Sequence, residues 1–266
     1  MRERAIAVPK ESIIKRIKVK DSVVVAGTVH GDGMIFSIEG ELLKTVRVGS
    51  IITTVSIGKK YLFGGRNVVV TFNGQMEIRK FNGIALGSHE DSLVVFYEGN
   101  NVSRVVNLRE SYCFRVNDLL KGITEVNGLL VLGGKRGVYL QEKCKRMQTI
   151  PIEEVVGVAS LDNYVYVLAR DPFFVGVSYL HKFELTSKRE MRHVGRAELD
   201  GMAYDLSAND GLLAASTNQK TYVFTDNLKK VAEFEGSISS GISKGKLCLT
   251  NGKALKCYEL NGLLKS

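Results

Sequence analysis

Seven short runs of consecutive apolar residues punctuate the chain: VVVAG, YLFGG, LVVFY, LLVLGG, YVYVLA, LLAAS and KLCLT. Each is too short for a helix and too continuous for a strand with one wet face, so each reads as a strand buried on both sides. A polar turn opens every run, at Asp21-Ser22, Lys59-Lys60, Asp91-Ser92, Asn127-Gly128, Asp162-Asn163, Asp210-Gly211 and Lys244-Gly245. A second short turn then leads into a partner run (MIFSI, VVVTF, VSRVV, VYLQE, YLHKF, YVFTD, LKCYE), and an amphipathic strand follows.

The opening turns recur at spacings of 38, 32, 36, 35, 48 and 34 residues, and residues 127–139 align without a gap on 210–222. Self-similarity at this period marks units that bury their apolar faces only against their neighbours. Four strands per unit and seven units predict an all-β chain, a seven-bladed β-propeller of four-stranded antiparallel blades forming one domain over residues 1–266. The blades are expected at about 11–48, 49–82, 83–115, 116–153, 154–199, 200–235 and 236–266. The last has residues for three strands, whereas the chain begins with a surplus one. Residues 2–9 are therefore expected to pair with the C-terminal blade and close the ring, leaving no open edge there.

Within this frame the longest interval holds an insertion-like segment, Arg170-Asp-Pro-Phe-Phe-Val-Gly176. Gly133-Gly134 and Asn251-Gly252 carry hairpin chemistry, because these residues tolerate positive φ. Only residues 107–122 fit a helix as well as a strand, and the eight amphipathic helices of a TIM barrel are absent.

The stretch DGLLAASTNQKTYVFTDNLKKV, from Asp210, resembles the diverged WD40-like β-propeller superfamily in its turn, small-residue strand, aromatic-bearing strand and closing Asp-Asn turn. In weaker form the resemblance extends over the whole chain, which has no tryptophan and hence no Trp-Asp pair. It implies a rigid platform on which partners assemble, without catalysis.

Charge sharpens this picture. The net charge is +9, and seven basic side chains fall in the first 20 residues against Glu3 and Glu11. Such a balance suits acidic protein surfaces, RNA or DNA. The second-to-third strand loops carry Arg66, Lys135, Arg136, Arg170, Lys220 and Lys253, opposed by Asp32, Glu98 and Asp171, and are expected to form one partner-binding face. Arg16, Lys18 and Lys20 alternate with Ile17 and Val19, which places three cations on one face of a strand as a secondary basic stripe. A third cluster, Lys143, Lys145, Arg146, Lys188, Arg189, Lys229 and Lys230, falls in third-to-fourth strand loops at the opposite end.

Catalytic chemistry is not written in the sequence. The four histidines, His30, His89, His181 and His193, have no metal-ligand spacing, and Ser88, His89 and Asp91 are too close in one turn to act as a triad. Gly31-Asp-Gly33 and Gly64-Gly65 open no helix that could cradle a phosphate. No cofactor or metal is implied. Cys113, Cys144, Cys248 and Cys257 lack CxxC spacing and read as buried free thiols. Cys248 and Cys257 can face each other only if their hairpin loop exceeds two residues.

No apolar run approaches the ~20 residues that span a bilayer, and the N-terminus lacks the apolar core of a signal peptide. An intracellular, cytoplasmic protein is expected. Three functions follow in order: a non-enzymatic scaffold or complex subunit that binds a protein partner, a direct RNA- or DNA-binding protein, and a propeller enzyme with a central-channel site for which no residue can be nominated.

Overall fold

The computed structural model describes residues 3–89, 92–96, 101–106, 109–142 and 145–260. The chain divides into two compact units, Met1–Tyr112 with Ile238–Ser266, and Cys113–Ser237. The first begins with β1 (Glu3–Ile6) and a four-stranded sheet of β2 (Ile14–Lys20), β3 (Val23–Thr28), β4 (Asp32–Ser37) and β5 (Leu42–Arg47). A six-stranded sheet follows: β6 (Ile52–Ile57), β7 (Tyr61–Asn73), β8 (Gln75–His89), β9 (Ser92–Phe96), β10 (Asn101–Val106) and β11 (Arg109–Arg115).

The second unit holds three four-stranded sheets. These are β12 (Leu120–Val126), β13 (Leu129–Gly134), β14 (Val138–Glu142) and β15 (Lys145–Ile150); β16 (Val155–Leu161), β17 (Tyr164–Arg170), β18 (Val177–Leu185) and β19 (Met191–Asp200); and β20 (Ala203–Asn209), β21 (Leu212–Thr217), β22 (Lys220–Thr225) and β23 (Lys230–Glu235). The final strands β24 (Ser239–Ser243), β25 (Lys246–Thr250) and β26 (Leu255–Glu259) belong to the first unit. There β1 pairs antiparallel with β26, Glu3 opposite Tyr258 and Ile6 opposite Leu255.

The described strands thus form six sheets, not seven. The segments expected as separate blades at 49–82 and 83–115 share one sheet. The cause is local: β7 and β8 run as 13- and 15-residue strands joined through Gly74 (φ 72), and Gly83, expected to start a new blade, lies within β8. Arg66 still pairs with Ile84 beyond a bulge at Asn67 (φ 61), which keeps the ladder continuous. The ambiguous segment 107–122 contains β11 and the start of β12, both strands.

Short turns begin the second strands as the pattern requires. Asn127-Gly128, Asp210-Gly211 and Lys244-Gly245 all have positive φ at both positions, and Asp21 and Asp162 at the first. Two such residues make a type I′ turn, whose twist matches the strands it joins. Gly133 and Gly134 behave otherwise. They lie inside β13, where a Cβ on Gly133 would come within 2.5 Å of the Val155 side chain. Gly27 in β3 repeats this, with Ile52 at 2.3 Å from the same hypothetical atom. A side chain at either position would push the neighbouring sheet away.

Two-sided burial is visible in both units. In β3, Val24 and Ala26 pack with Phe36, Ile17, Ile6 and Leu255, whereas Val25 joins Ile35, Ile52, Phe63 and Val70 on the other face. In β17, Val165, Val167 and Ala169 meet Val131 and Leu140, while Tyr166 and Leu168 meet Leu213 and Tyr222. The fourth strands, β5 and β15, are largely exposed.

Cys248 and Cys257 stand opposite each other in β25 and β26 and form a disulfide, which corrects the expectation of free thiols for this pair. Their loop, residues 251–254, is longer than a two-residue turn, and Asn251 Oδ1 accepts the Lys253 and Ala254 N–H groups. Cys144 lies outside the described residues, as does the side chain of Cys113.

Ile6 ties β1 into the first unit, being only 4% exposed and packed with Leu255, Cys257 and Phe36. Ile6→Ala is expected to cost about 2–5 kcal/mol, the range for truncating a buried isoleucine. Deletion of residues 1–9 should lower the melting temperature further; an unchanged calorimetric midpoint would refute a structural role for β1.

Candidate functional site

In the second unit, the second-to-third strand connections lie beside the segments that enter the first strands. The Glu154 N–H donates to the Lys135 carbonyl, the Arg170 N–H to the Glu154 carbonyl, and the Gly201 N–H to the Gly176 carbonyl. Asn218 and Met202 are joined by the Asn218 N–H to the Met202 carbonyl and the Met202 N–H to Asn218 Oδ1. These bonds place residues 135–137, 171–176 and 218–219 at one end of the three sheets.

The 135–137 connection is fixed from behind by Asp118, 5% exposed. One carboxylate oxygen accepts the Arg136 N–H at 2.9 Å and the Tyr139 hydroxyl at 2.8 Å; the other accepts the Leu119 N–H at 2.6 Å. Burial, helped by the hydrogen bond to Asp118, pushes the Tyr139 hydroxyl up to about 12. Gly134 leaves room for this carboxylate, since a Cβ there would lie 2.3 Å from Asp118 Oδ2. Lys135 and Arg136 consequently project from a set backbone. Lys135 reaches Glu154 at 3.5 Å, with 60% of its side chain exposed.

The remaining expected contacts have different fates. Arg170 closes β17 with its Nε donating to the Ala203 carbonyl at 2.9 Å and its guanidinium over the Tyr204 ring, so it ties two sheets together. Lys220 begins β22 and pairs with Glu233 at 2.6 Å, which raises its pKa through that hydrogen bond. Arg66 and Lys253 belong to the first unit: Arg66 lies exposed within β7, not in a loop, and Lys253 is exposed in the 251–254 loop. Asp32 is engaged by Arg47, and Glu98 lies outside the described residues.

Arg16, Lys18 and Lys20 sit on β2, the first strand of its sheet, as the alternating pattern implied. Arg16 Nε donates to the Thr53 carbonyl at 3.3 Å and Lys20 Nζ to the Ile57 carbonyl at 3.5 Å. Both ends of the stripe therefore reach across to β6, a structural use of the charge. Of the third cluster, Arg189 pairs with Glu142 and Lys230 with Glu233, whereas Lys143 lies outside the described residues.

Two groupings were not legible in the sequence. His181 and His193, on β18 and β19, bring Nδ1 and Nε2 to 3.3 Å, although their 12-residue separation signals nothing. Burial first, then the neighbouring His193 and Arg196, lowers the His181 pKa to about 4. Among the described residues no three His, Cys, Asp or Glu side chains cluster as metal ligands. The other grouping is the tip of the 171–176 connection, where Phe173, Phe174 and Val175 are 85%, 67% and 99% exposed. The extra length of this interval was its only sequence signal.

A depressed histidine pKa makes the unfolded chain the better proton acceptor between the two values. The stability it contributes is fully present above about 6.5 and is lost as pH falls toward 4. His181→Gln is expected to flatten the decline of melting temperature between pH 6.5 and 4.5; a slope equal to that of the parent would show that His181 is not responsible.

No sequence-family model matches the chain, and no curated protein matches it by sequence. Solved structures do. The chain is similar to the WD40 β-propeller domain of Doa1, with a TM-score of 0.75 and 12% identity over 96% of this chain and 94% of that one. It is also similar to the computationally designed Ika8 protein, with a TM-score of 0.67 and 11% identity over 96% and 98%. At these identities the likeness concerns the fold alone: the chain has the β-propeller fold, built of antiparallel blades.

Proposed function

We propose that this chain is a non-enzymatic interaction propeller, a cytoplasmic scaffold or complex subunit that binds a protein partner through the connections at one end of its second unit. The observation that carries this reading is the pinned 135–137 connection. Its backbone is held by Asp118 and Glu154, so two exposed cations are presented without the entropy cost of ordering a mobile loop on binding. A β-propeller offers such connections on a rigid frame, the setting in which binding residues commonly lie. No helix among the described residues is long and apolar enough to cross a membrane.

The net charge of +9 favours the second reading, direct RNA or DNA binding. Local charge favours protein. Lys135, Arg136, Arg170 and Lys220 share their end with the carboxylates of Glu153, Glu154, Asp171, Asp200 and Glu235, an even mixture that gives a polyanion little net attraction. The enzyme reading gains no nominated residue.

Affinity purification from the native source with and without nuclease, followed by titration of the retained component, tests the choice. The proposed function predicts a nuclease-resistant protein whose affinity falls about tenfold or more in Lys135→Glu/Arg136→Glu. Retention of nucleic acid alone, lost steeply between about 50 and 200 mM salt, would favour the second reading. Unchanged affinity in the double variant would remove the 135–137 connection from the interface, and Arg66→Glu/Lys253→Glu then tests the first unit.

A further inference from the structure

The connection between β17 and β18 is longer than its counterparts. Residues 171–176 bridge these strands, against 135–137 between β13 and β14 and 218–219 between β21 and β22. At its tip Pro172 is followed by Phe173, Phe174 and Val175, exposed by 85%, 67% and 99%. Elsewhere in the same sheet, Val165, Tyr166, Val167, Leu168, Leu180 and Phe183 are buried. The fold therefore has ample means of covering apolar side chains, and these three are held away from it.

The exposure is built in. Asp171 Oδ1 accepts the N–H groups of Phe173 and Phe174 at 2.8 and 2.9 Å, which lowers the pKa of its carboxyl. The Asp171 N–H donates to the Val177 carbonyl, the Val177 N–H to the Phe174 carbonyl, and the Gly201 N–H to the Gly176 carbonyl. Gly176 takes φ 92, a conformation that side chains resist. These bonds hold the six residues in a turn whose tip stands off the sheet.

Surrounding charge decides among occupants. On this end of the second unit the carboxylates of Glu153, Glu154, Asp171, Asp200 and Glu235 at least match Lys135, Arg136, Arg170 and Lys220. An anionic lipid surface or a nucleic-acid phosphate backbone would be repelled by as many groups as attract it. A protein cleft with a mixed polar rim satisfies both features. Aromatic anchors in a desolvated pocket, surrounded by polar contacts, are also where interface energy concentrates. We infer that Phe173, Phe174 and Val175 form a preorganised plug that inserts into an apolar pocket, rimmed by both signs of charge, on a protein partner. This rests on the interaction-platform reading and names its anchor.

A photoreactive phenylalanine analogue at position 174 of the full chain, irradiated in the native source, tests the plug by mass spectrometry of the adduct. The cross-linked protein is then purified and titrated with the parent chain and with Phe173→Ser/Phe174→Ser. The expected result is one dominant protein adduct whose affinity falls about a hundredfold in the double variant, with little dependence on salt and an unchanged melting temperature. Absence of a protein adduct, or equal affinity of parent and variant, overturns the plug. Lipid is checked by cosedimentation with phosphatidylcholine vesicles containing phosphatidylserine, and self-association by light scattering. Vesicle binding that needs both phenylalanines, or an adduct with a second copy of this chain that makes it dimeric, would overturn a separate protein pocket as the target. If Lys135→Glu/Arg136→Glu weakens the partner and Phe173→Ser/Phe174→Ser does not, the plug fails while the platform stands.

Discussion

In both units, sheets depend on strands such as β3, β17 and β21 that are buried on both faces. Because successive side chains of a strand point to opposite sides, a buried run such as Val24-Val25-Ala26 divides itself between two cores, one on each flank of the sheet. No sheet can satisfy its second strand alone. Neighbours must approach closely, and where β3 and β13 meet them the sequence places Gly27 and Gly133 instead of a side chain. The outermost strands inherit the reverse condition. With only one neighbour in their sheet, β5 and β15 carry mostly exposed residues, the apolar Leu42 and Leu43 among them.

This constraint is what made the architecture legible. An uninterrupted apolar run has few physical explanations, and turns such as Asn127-Gly128 and Asp210-Gly211 announce their backbone conformation by residue type. The number of sheets was less accessible. A turn and an uninterrupted strand can share the same residues: the segment around Gly83 reads as a boundary, but its backbone continues through β8. Whether a strand ends there is set by ladder partners on β7 and β9, which local composition does not reveal. The disulfide was hidden for a similar reason, since loop length and register decide whether Cys248 faces Cys257.

The candidate site was legible as a list of cations, not as an arrangement. Arg170 looks like a loop residue until Ala203 and Tyr204 appear beside it, and Lys220 until Glu233 does; those partners lie 33 and 13 residues away in the chain. Arg66 was misplaced because β7 runs on where a loop was expected. In the opposite sense, Phe173-Phe174-Val175 is a sequence that normally signals a buried strand. The length of its interval marks it as an insertion, the hydrogen bonds of Asp171 fix it as a turn, and its side chains are exposed.

Asp118 holds the 135–137 connection through the backbone of residue 136 and the hydroxyl of Tyr139, and makes no demand on the side chains of Lys135 or Arg136. The shape of that connection is thus encoded behind it, in a side chain that is itself buried. Substitutions at 135 and 136 can accumulate without unsettling the frame, so the chemistry displayed at this end and the stability of the sheet behind it are free to change independently.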